Sequence, residues 1–322
     1  MINLEIEKGL VVDSLAFSAK GKYLVAALSN LSFRLWDLNK AEMLAEIPKA
    51  HHSEIIKIHY PLSSKNIITI DANSTIILWD VVKLVEFNKL GPYFKTGKTY
   101  LAEVSKDGRF VAMASQNYFL VLDLDDESIV IRENAYNAHI VSMSFSLCGG
   151  KLVISGLGST KLKQYNLIQR KLDCIYLVDL PENSKDKKIY VTLGWYGNFL
   201  MACTDSMCYV YSMDGGKNAG NEYVGGSLGA VSFFPSMKYF MRFSDNKIVL
   251  HSFDKDEGGC EDGGGNEVVF EKSLRGSKGV FQKVVLCPNG SFIASYGARE
   301  NHIEIFRIVY EFEDEEKNKN IF

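Results

Sequence analysis

Short β-prone runs of apolar residues, separated by polar turns, recur along the chain at a nearly constant spacing. The most visible copies are "FRLWDLN" and "IILWDVV", which place Trp36 and Trp79 at 43 residues from each other. A repeat period of roughly 40 to 50 residues is typical of proteins built from stacked sheet units. Five further runs close at comparable positions, namely Leu122, Tyr165, Tyr211, His251 and Phe306. The spacing predicts seven copies of one structural unit.

A hairpin pattern about 15 residues before each of these positions gives the same count. In five copies an apolar strand end meets a short polar turn, and a β-branched or aromatic strand follows it. These copies are "FSAKGKYLVA", "VSKDGRFVA", "FSLCGGKLVI", "FFPSMKYFM" and "LCPNGSFIA". Copies two and five show the same pattern with altered turns. Two independent markers therefore predict seven units.

Each unit predicts three strands that end at the marker position, followed by a fourth. The fourth strands are expected at 41–47, 83–90, 128–134, 171–178, 221–226 and 268–274. The seventh unit runs into the acidic "VYEFEDEEKNKNIF", whereas the strand-like segment 2–7 has no unit of its own. An open array would leave unpaired strand edges. We therefore expect one all-β domain over 1–309, closed by its N-terminal strand, and an acidic tail over 310–322.

The second unit, "AHHSEIIKIHYPLSSKNIITIDANSTIILWD", resembles the repeat of the WD-repeat β-propellers, and the resemblance extends over nearly the whole chain. It implies a seven-bladed β-propeller of four-stranded antiparallel blades. It also implies a structural hydrogen-bonded line across the second blade, formed by His51, Thr69, Asn73 and Trp79. The other units depart from the family pattern, since Tyr136 takes the histidine position of unit four, and units three, six and seven have neither Trp-Asp nor a matching histidine. Shape and apolar packing are expected to stabilise most blades.

Four segments also resemble the propeller subunit of COMPASS-type histone methyltransferase complexes. They are "INLEIEKG", "KAHHSEI", "FIASYGARENHIEIF" and the acidic tail. This resemblance implies that the tail, with Tyr310 and Phe312, contacts a methyltransferase module. Complexes for RNA processing, ubiquitin ligation and vesicle coating use the same ring, and they remain open alternatives.

Composition and charge narrow the class of partner. The 36 basic and 39 acidic residues give a net charge of -3, so the chain lacks the global positive field that attracts nucleic acid. No stretch approaches the roughly 18 apolar residues of a membrane helix, and the start shows no leader. The six cysteines form no Cys-x-x-Cys pair, so reduced thiols are expected. We expect an intracellular protein, cytoplasmic or nuclear, without membrane or direct nucleic-acid contacts.

No motif in the sequence predicts catalysis, a metal or a cofactor. The six histidines lack the spacing of a metal site, and neither Gly-x-Ser-x-Gly nor a phosphate-binding loop is present. The segment 254–267 alternates acidic residues with glycine, but Gly258 and Gly265 stand where a calcium loop needs oxygen ligands. We interpret it as a flexible insertion. The sequence therefore predicts a protein that is not an enzyme.

The function is expected in the loops on one face of the ring, because loops carry contacts that a packed sheet cannot make. Aromatic and arginine side chains most often anchor interfaces. The predicted partner-binding residues on this face are Tyr93, Phe94, Tyr136, Lys188, Phe281 and Arg299. The sequence thus predicts a scaffold or adaptor that binds a protein or peptide in a multi-subunit complex. The alternatives are an enzyme or small-molecule sensor that uses the central channel, and an architectural subunit that binds through its edges.

Overall fold

The structure is a computed structural model that describes part of the chain. The described residues are 2–62, 66–178, 188–193, 199–204, 207–212, 218–223, 230–233, 239–244, 247–252, 268–273, 281–297 and 301–308. The predicted insertion at 254–267 and the predicted tail at 310–322 lie outside them.

The described residues form 28 β-strands, arranged in seven four-stranded antiparallel sheets. Sheets one to three contain β2 (Val12–Phe17), β3 (Tyr23–Leu28), β4 (Phe33–Asp37) and β5 (Glu42–Ile47); β6 (Ile55–His59), β7 (Asn66–Asp71), β8 (Ile76–Asp80) and β9 (Val85–Leu90); and β10 (Leu101–Val104), β11 (Phe110–Ser115), β12 (Tyr118–Asp123) and β13 (Ser128–Asn134). Sheets four to six contain β14 (Ile140–Phe145), β15 (Lys151–Gly156), β16 (Lys161–Asn166) and β17 (Lys171–Leu177); β18 (Tyr190–Leu193), β19 (Phe199–Cys203), β20 (Met207–Ser212) and β21 (Asn218–Tyr223); and β22 (Ala230–Phe233), β23 (Tyr239–Ser244), β24 (Lys247–Ser252) and β25 (Val268–Ser273). Sheet seven contains β26 (Phe281–Leu286), β27 (Phe292–Gly297), β28 (His302–Arg307) and β1 (Ile2–Glu5).

The predicted all-β class and the repeated four-stranded antiparallel sheets are confirmed in the described part of the chain. In sheets one to six the strands follow chain order, whereas in sheet seven β1 pairs with β28 in the register Leu4↔Ile303. None of the described segments is a helix long and apolar enough to cross a membrane.

The seven marker positions occupy the same place in every sheet, the second-last residue of the third strand. In sheets one to six a β-bulge against the fourth strand lies directly before this residue. A bulge increases the local twist and bends the strand that carries it. The repeat is therefore defined by a backbone irregularity, which explains why Trp36, Leu122 and His251 can occupy equivalent positions.

The turn that follows the marker is built alike in the first four sheets. Asp37 Oδ1 accepts a hydrogen bond from the Asn39 N–H at 2.9 Å, and Asp80 Oδ1 accepts one from the Val82 N–H at 2.8 Å. Asp123 Oδ1 accepts a hydrogen bond from the Asp125 N–H, and Asn166 Oδ1 accepts one from the Gln169 N–H. Four positions after each of these residues stands a residue with positive φ, namely Ala41, Leu84, Glu127 and Arg170. The Asp of each Trp-Asp pair thus closes the turn into the outer strand, as Asx turns do.

One outer strand differs from its prediction. The fourth strand of sheet five runs over Asn218–Tyr223, whereas the sequence predicts 221–226. Its last described residue, Tyr223, pairs with Met207, the first residue of the third strand. The outer strand thus begins three residues before the predicted one, and the predicted residues 224–226 lie outside the described part of the chain.

Apolar layers lie between neighbouring sheets. Trp36 packs with Leu4 and Tyr296 between sheets seven and one. Trp79 packs between sheets one and two, with its ring 5.2 Å from that of Phe33. Equivalent layers lie between sheets two and three, three and four, and four and five. The middle strands are buried on both faces, as β11 is along its whole length, so they form continuous apolar runs rather than alternating ones.

Candidate functional site

A groove with a volume of about 410 Å³ lies where sheets two and three meet the loop between them. We call it the sheet-three groove. It is bounded by the 93–97 segment after β9, by the turn from β11 to β12, and by the outer strand β13. Its lining residues are Tyr93, Phe94, Lys95, Thr96, Gly97, Ser115, Gln116, Asn117, Tyr118 and Arg132. The structure therefore brings together two of the six predicted partner-binding residues, Tyr93 and Phe94.

The loop that carries these two aromatic residues is fixed to the turn between β7 and β8. Ser74 Oγ accepts hydrogen bonds from the backbone N–H groups of Tyr93 at 2.8 Å and Phe94 at 3.0 Å. Gly91 has a φ of +91°, and a Cβ on it would lie 2.5 Å from the carbonyl oxygen of Ser74. Only glycine allows this close approach in the left-handed region. The aromatic wall of the groove is thus positioned through its backbone.

The turn that contains Ser74 is held by the carboxylate of Asp71. Asp71 Oδ1 accepts hydrogen bonds from the N–H groups of Asn73 at 3.0 Å and Thr75 at 2.8 Å. Burial raises the pKa of Asp71, but hydrogen bonds from His51, Thr75 and Ser53 outweigh burial and leave this pKa below its usual value. The carboxylate is therefore ionised at neutral pH.

Asp71 connects the turn to a buried polar line through sheet two. Trp79 Nε1 donates a hydrogen bond to Thr69 Oγ1 at 2.8 Å, and this hydroxyl lies 2.7 Å from His51 Nε2. On the other side of the ring, His51 Nδ1 lies 3.1 Å from Asp71 Oδ2. Thr69 Oγ1 also lies 3.3 Å from the carbonyl oxygen of Ile77, so its single proton is shared between this carbonyl and the His51 ring as alternative partners.

The fourth member of this line is Asp71 and not the predicted Asn73. Asn73 is exposed, and its backbone N–H donates to Asp71. Asp71 is the last residue of β7, and its carboxylate is buried beside the imidazole of His51. An ionised acceptor makes a stronger hydrogen bond than an amide oxygen, so a carboxylate suits this position. The sequence signal for Asp71 is the acidic side chain at the strand end, two residues before the position that the family pattern marks.

The groove walls combine aromatic rings with a cation. The Phe94 and Tyr118 rings meet edge to face at 6.0 Å. Arg132 Nη2 donates a hydrogen bond to the carbonyl oxygen of Tyr93 at 3.1 Å. Burial raises the pKa of Tyr93, and the negative charge of Glu127 adds to this effect. Tyr93 and Phe94 are half-buried, so each ring has support behind it and an accessible face.

Tyr136 lies outside the groove and has structural contacts of its own. Its hydroxyl lies 2.9 Å from the carbonyl oxygen of Ile154 and 2.8 Å from that of Lys161. Its ring covers Gly156, where an added Cβ would lie 2.4 Å from the ring. Burial raises the pKa of Tyr136. Through these contacts Tyr136 stabilises the end of sheet four at which β15 ends and β16 begins.

Of the remaining predicted residues, Lys188 does not line the groove. Lys188 is exposed and lies two residues before β18. Phe281 is the first residue of β26 and pairs with Gly297. Arg299, Tyr310 and Phe312 lie outside the described residues. Tyr118 and Arg132 complete the groove but were not predicted. Tyr118 begins β12 and Arg132 lies inside β13, and both are distant in sequence from the 91–97 loop.

A second cavity, of about 380 Å³, lies among the first strands of sheets one to five and seven. Lys57 Nζ and Glu103 Oε1 form an ion pair at 2.7 Å in its wall. Burial lowers the pKa of His59 well below its usual value, and the positive charges of Lys106 and Lys57 lower it further, so this imidazole is neutral at pH 7. No group of three His, Cys, Asp or Glu residues suited to a metal ion occurs among the residues described.

Comparison with known proteins adds no relative from which a function could be transferred. No protein-family model matches the chain, and no curated protein matches it significantly. The features of the chain that bear on its function are therefore the repeated sheets, the sheet-three groove and the cavity among the first strands.

Proposed function

We propose that the seven sheets form a closed, seven-bladed β-propeller of the WD-repeat type, with β1 as the outer strand of the last blade. The first strands of successive sheets contact one another from β2 through β6, β10, β14 and β18 to β22, and β2 also contacts β26. The β1–β28 pairing and the apolar layer between sheets seven and one support the same closure. A closed ring removes the exposed edges of the array.

We further propose that the protein is a non-enzymatic scaffold or adaptor that binds a protein or peptide partner. The observation that carries this proposal is the sheet-three groove. Its aromatic wall is pre-positioned by Ser74, and its arginine is held against the Tyr93 carbonyl. Rigid aromatic and arginine side chains anchor protein interfaces efficiently, because little conformational freedom is lost on binding. Among the described lining residues there is no Cys, His, Asp or Glu, so the Ser115 and Thr96 hydroxyls have no histidine or carboxylate partner within this set.

For the cellular setting, we propose a chromatin-modifying complex of the histone methyltransferase class. This proposal depends on the four segments that resemble the COMPASS-type propeller subunit, and in that setting Tyr310 and Phe312 contact the methyltransferase module. Affinity purification of the chain, followed by mass spectrometry, tests it directly. Recovery of a stable complex of another class contradicts the chromatin setting and leaves the adaptor proposal in place.

The adaptor proposal is tested by comparing partner recovery between groove and control variants. Phe94→Ala and Tyr118→Ala remove the aromatic wall and leave the backbone anchors of the loop intact. Phe87→Ala is the matched control, because Phe87 is exposed on the outer strand β9 and lies outside the groove. We expect both groove variants to lose the partner while they still unfold cooperatively, with a lower melting temperature for Phe94→Ala because this ring also packs against the core; the control should retain the partner. An unchanged set of recovered proteins in both groove variants would rule the groove out as the docking site.

A small-molecule sensor is the second candidate, because the cavity among the first strands is large enough for a small ligand. A thermal-shift screen with small polar metabolites tests it, with Glu103→Gln as the variant that disrupts the Lys57 ion pair. A metabolite that stabilises the wild type and not this variant supports a sensor.

A further inference from the structure

The sheet-three groove has a charge that differs from that of the whole protein. Its described lining residues include Lys95 and Arg132 and no carboxylate, and the exposed Lys98 follows in the same loop. Two carboxylates lie near the lining without being part of it: Glu127 acts on Tyr93 from beside the wall, and Glu133, next to Arg132 in β13, accepts a hydrogen bond from the hydroxyl of Tyr165. Lys95, Lys98 and Arg132 outnumber them. The groove is therefore locally positive on a chain whose net charge is -3. Such a local potential selects partners of the opposite sign and speeds their association.

Arg132 is oriented for a carboxylate. Its hydrogen bond to the Tyr93 carbonyl, at 3.1 Å, fixes one nitrogen of the guanidinium at the groove wall. The other N–H groups form a planar fork that matches the two oxygens of a carboxylate. Because the side chain is exposed, a ligand can reach these donors without a change in the fold.

The aromatic wall adds an apolar requirement. Tyr93 and Phe94 are half-buried, and the edge-to-face contact with Tyr118 holds the Phe94 ring in place. A volume of about 410 Å³ accommodates a few side chains and not a folded domain. An occupant that satisfies both features carries acidic side chains at the rim and at least one aromatic or aliphatic side chain over Phe94.

We propose that the sheet-three groove recognises a short acidic peptide segment with an aromatic or aliphatic anchor, supplied by the partner protein. This inference depends on the proposed adaptor function and specifies the chemistry of its partner. A nucleic acid is disfavoured as the occupant, because phosphate backbones are bound by extended arrays of cations and the groove lining supplies two.

The test uses the full chain and three labelled hexapeptides, of which the Glu and Gln forms have nearly the same shape and differ in charge. Gly-Glu-Phe-Glu-Glu-Gly, capped at both ends, is compared with its Gln and Lys analogues by fluorescence anisotropy at low and high salt. We expect the Glu peptide to bind about tenfold more tightly than the Gln peptide at low salt, with a smaller ratio at high salt. The Lys peptide is expected to bind more weakly than both.

Charge variants locate the effect in the groove. Lys95→Gln and Arg132→Gln should each weaken the Glu peptide about three- to tenfold and leave the Gln peptide nearly unchanged. Lys95 is the cleaner variant, because the Arg132 substitution also removes the bond to Tyr93. Lys40→Gln is the control, since Lys40 is an exposed lysine in the turn before β5, outside the groove. An equal loss in the control would contradict recognition by the groove.

Two outcomes separate this inference from the proposed function. If the Glu, Gln and Lys peptides bind equally and Phe94→Ala weakens all three, the acidic preference is wrong and the groove remains a docking site. If Phe94→Ala changes the binding of neither the peptides nor the recovered partner, the groove is not the docking site and both proposals fail. A single-stranded DNA oligomer that outcompetes the Glu peptide at the same residues would overturn the inference in favour of a phosphate ligand.

Discussion

His51 Nδ1 lies 3.1 Å from Asp71 Oδ2, inside a sheet whose other interior contacts are mostly apolar. This contact joins the hydrogen-bonded line of sheet two to the turn that anchors the groove loop. On one side the imidazole meets Thr69 and, through it, Trp79. On the other side the carboxylate holds the turn whose Ser74 hydroxyl anchors the groove loop. A structural hydrogen-bonded line therefore positions the candidate binding site.

Asp71→Asn should destabilise the protein by about 1.5 to 3 kcal/mol, because it removes the ionised acceptor of buried hydrogen bonds. Asn73→Ala should change the free energy of unfolding by less than about 0.5 kcal/mol, since the Asn73 side chain is exposed. Chemical denaturation of both variants provides the measurement. A larger loss at Asn73 than at Asp71 would show that Asn73 is the functional partner of His51.

The same pair predicts an acid-dependent loss of stability. The folded-state pKa of Asp71 lies below the usual 3.8, so its contribution is fully present above pH 3.8 and is lost as the pH falls through the folded-state value. Stability curves of the wild type and Asp71→Asn should therefore converge in strong acid. Curves that stay parallel at every pH would contradict this linkage.

The raised pKa of Asp13 predicts that the stability of the fold depends on pH with the opposite sign. Burial raises the pKa of Asp13 to about 6, the charge of Glu54 adds to the rise, and Lys283 opposes it. The buried Oδ2 atom also has no hydrogen-bond partner. The folded state binds this proton more tightly than the unfolded state, so stability falls as the pH rises from about 4 to about 6.

Asp13→Asn should accordingly stabilise the protein by about 1 kcal/mol at pH 7 and have little effect below pH 3.8. Urea denaturation at pH 7, 5.5 and 3.5 measures the difference. Glu5→Gln, an exposed change on β1, is the control and should show no such trend. Equal stabilities of Asp13→Asn and the wild type at pH 7 would show that Asp13 is stabilised in its charged form.

The sequence predicted the repeat well because the repeat is a backbone feature. Trp36 and Trp79 mark a bulge and a turn that recur at Leu122 and Tyr165 without the tryptophan. Strand order and turns depend on local chemistry, which short windows of sequence contain.

The groove was predicted less completely, because its lining residues are distant in sequence and are brought together by tertiary contacts. Tyr93 and Phe94 stood out as aromatic residues in a loop, but the position of Arg132 beside them follows from strand pairing and sheet twist. Asn73 was chosen over Asp71 because a family pattern specifies a sequence position. Which of the two side chains is buried beside His51 depends on the conformation of the turn.

The variant Ser74→Gly tests how the groove loop is positioned without a large change in the stability of the fold. Ser74 has a φ of 61°, so Ser74→Gly relieves backbone strain while it removes the hydroxyl that binds Tyr93 and Phe94. We expect a change of less than about 1 kcal/mol in unfolding free energy, because these two effects oppose each other. Hydrogen exchange at the Tyr93 and Phe94 amides should become faster, and partner binding should weaken. Unchanged exchange at these amides would show that Gly91 alone fixes the loop.

The N-terminal strand offers a direct test of the proposed closure. Leu4 is buried in the layer between sheets seven and one, whereas its neighbour Asn3 is exposed on the same strand. If the closure stabilises the whole ring, Leu4→Ala should cost about 2 to 4 kcal/mol in global unfolding and Asn3→Ala less than about 0.5 kcal/mol. Deletion of residues 1–8 should be worse still, because it also removes the Glu7 carboxylate that binds the buried Arg34 at 2.5 Å. A truncated chain that unfolds cooperatively at the wild-type denaturant concentration would show that β1 is dispensable, which would contradict the proposed closure.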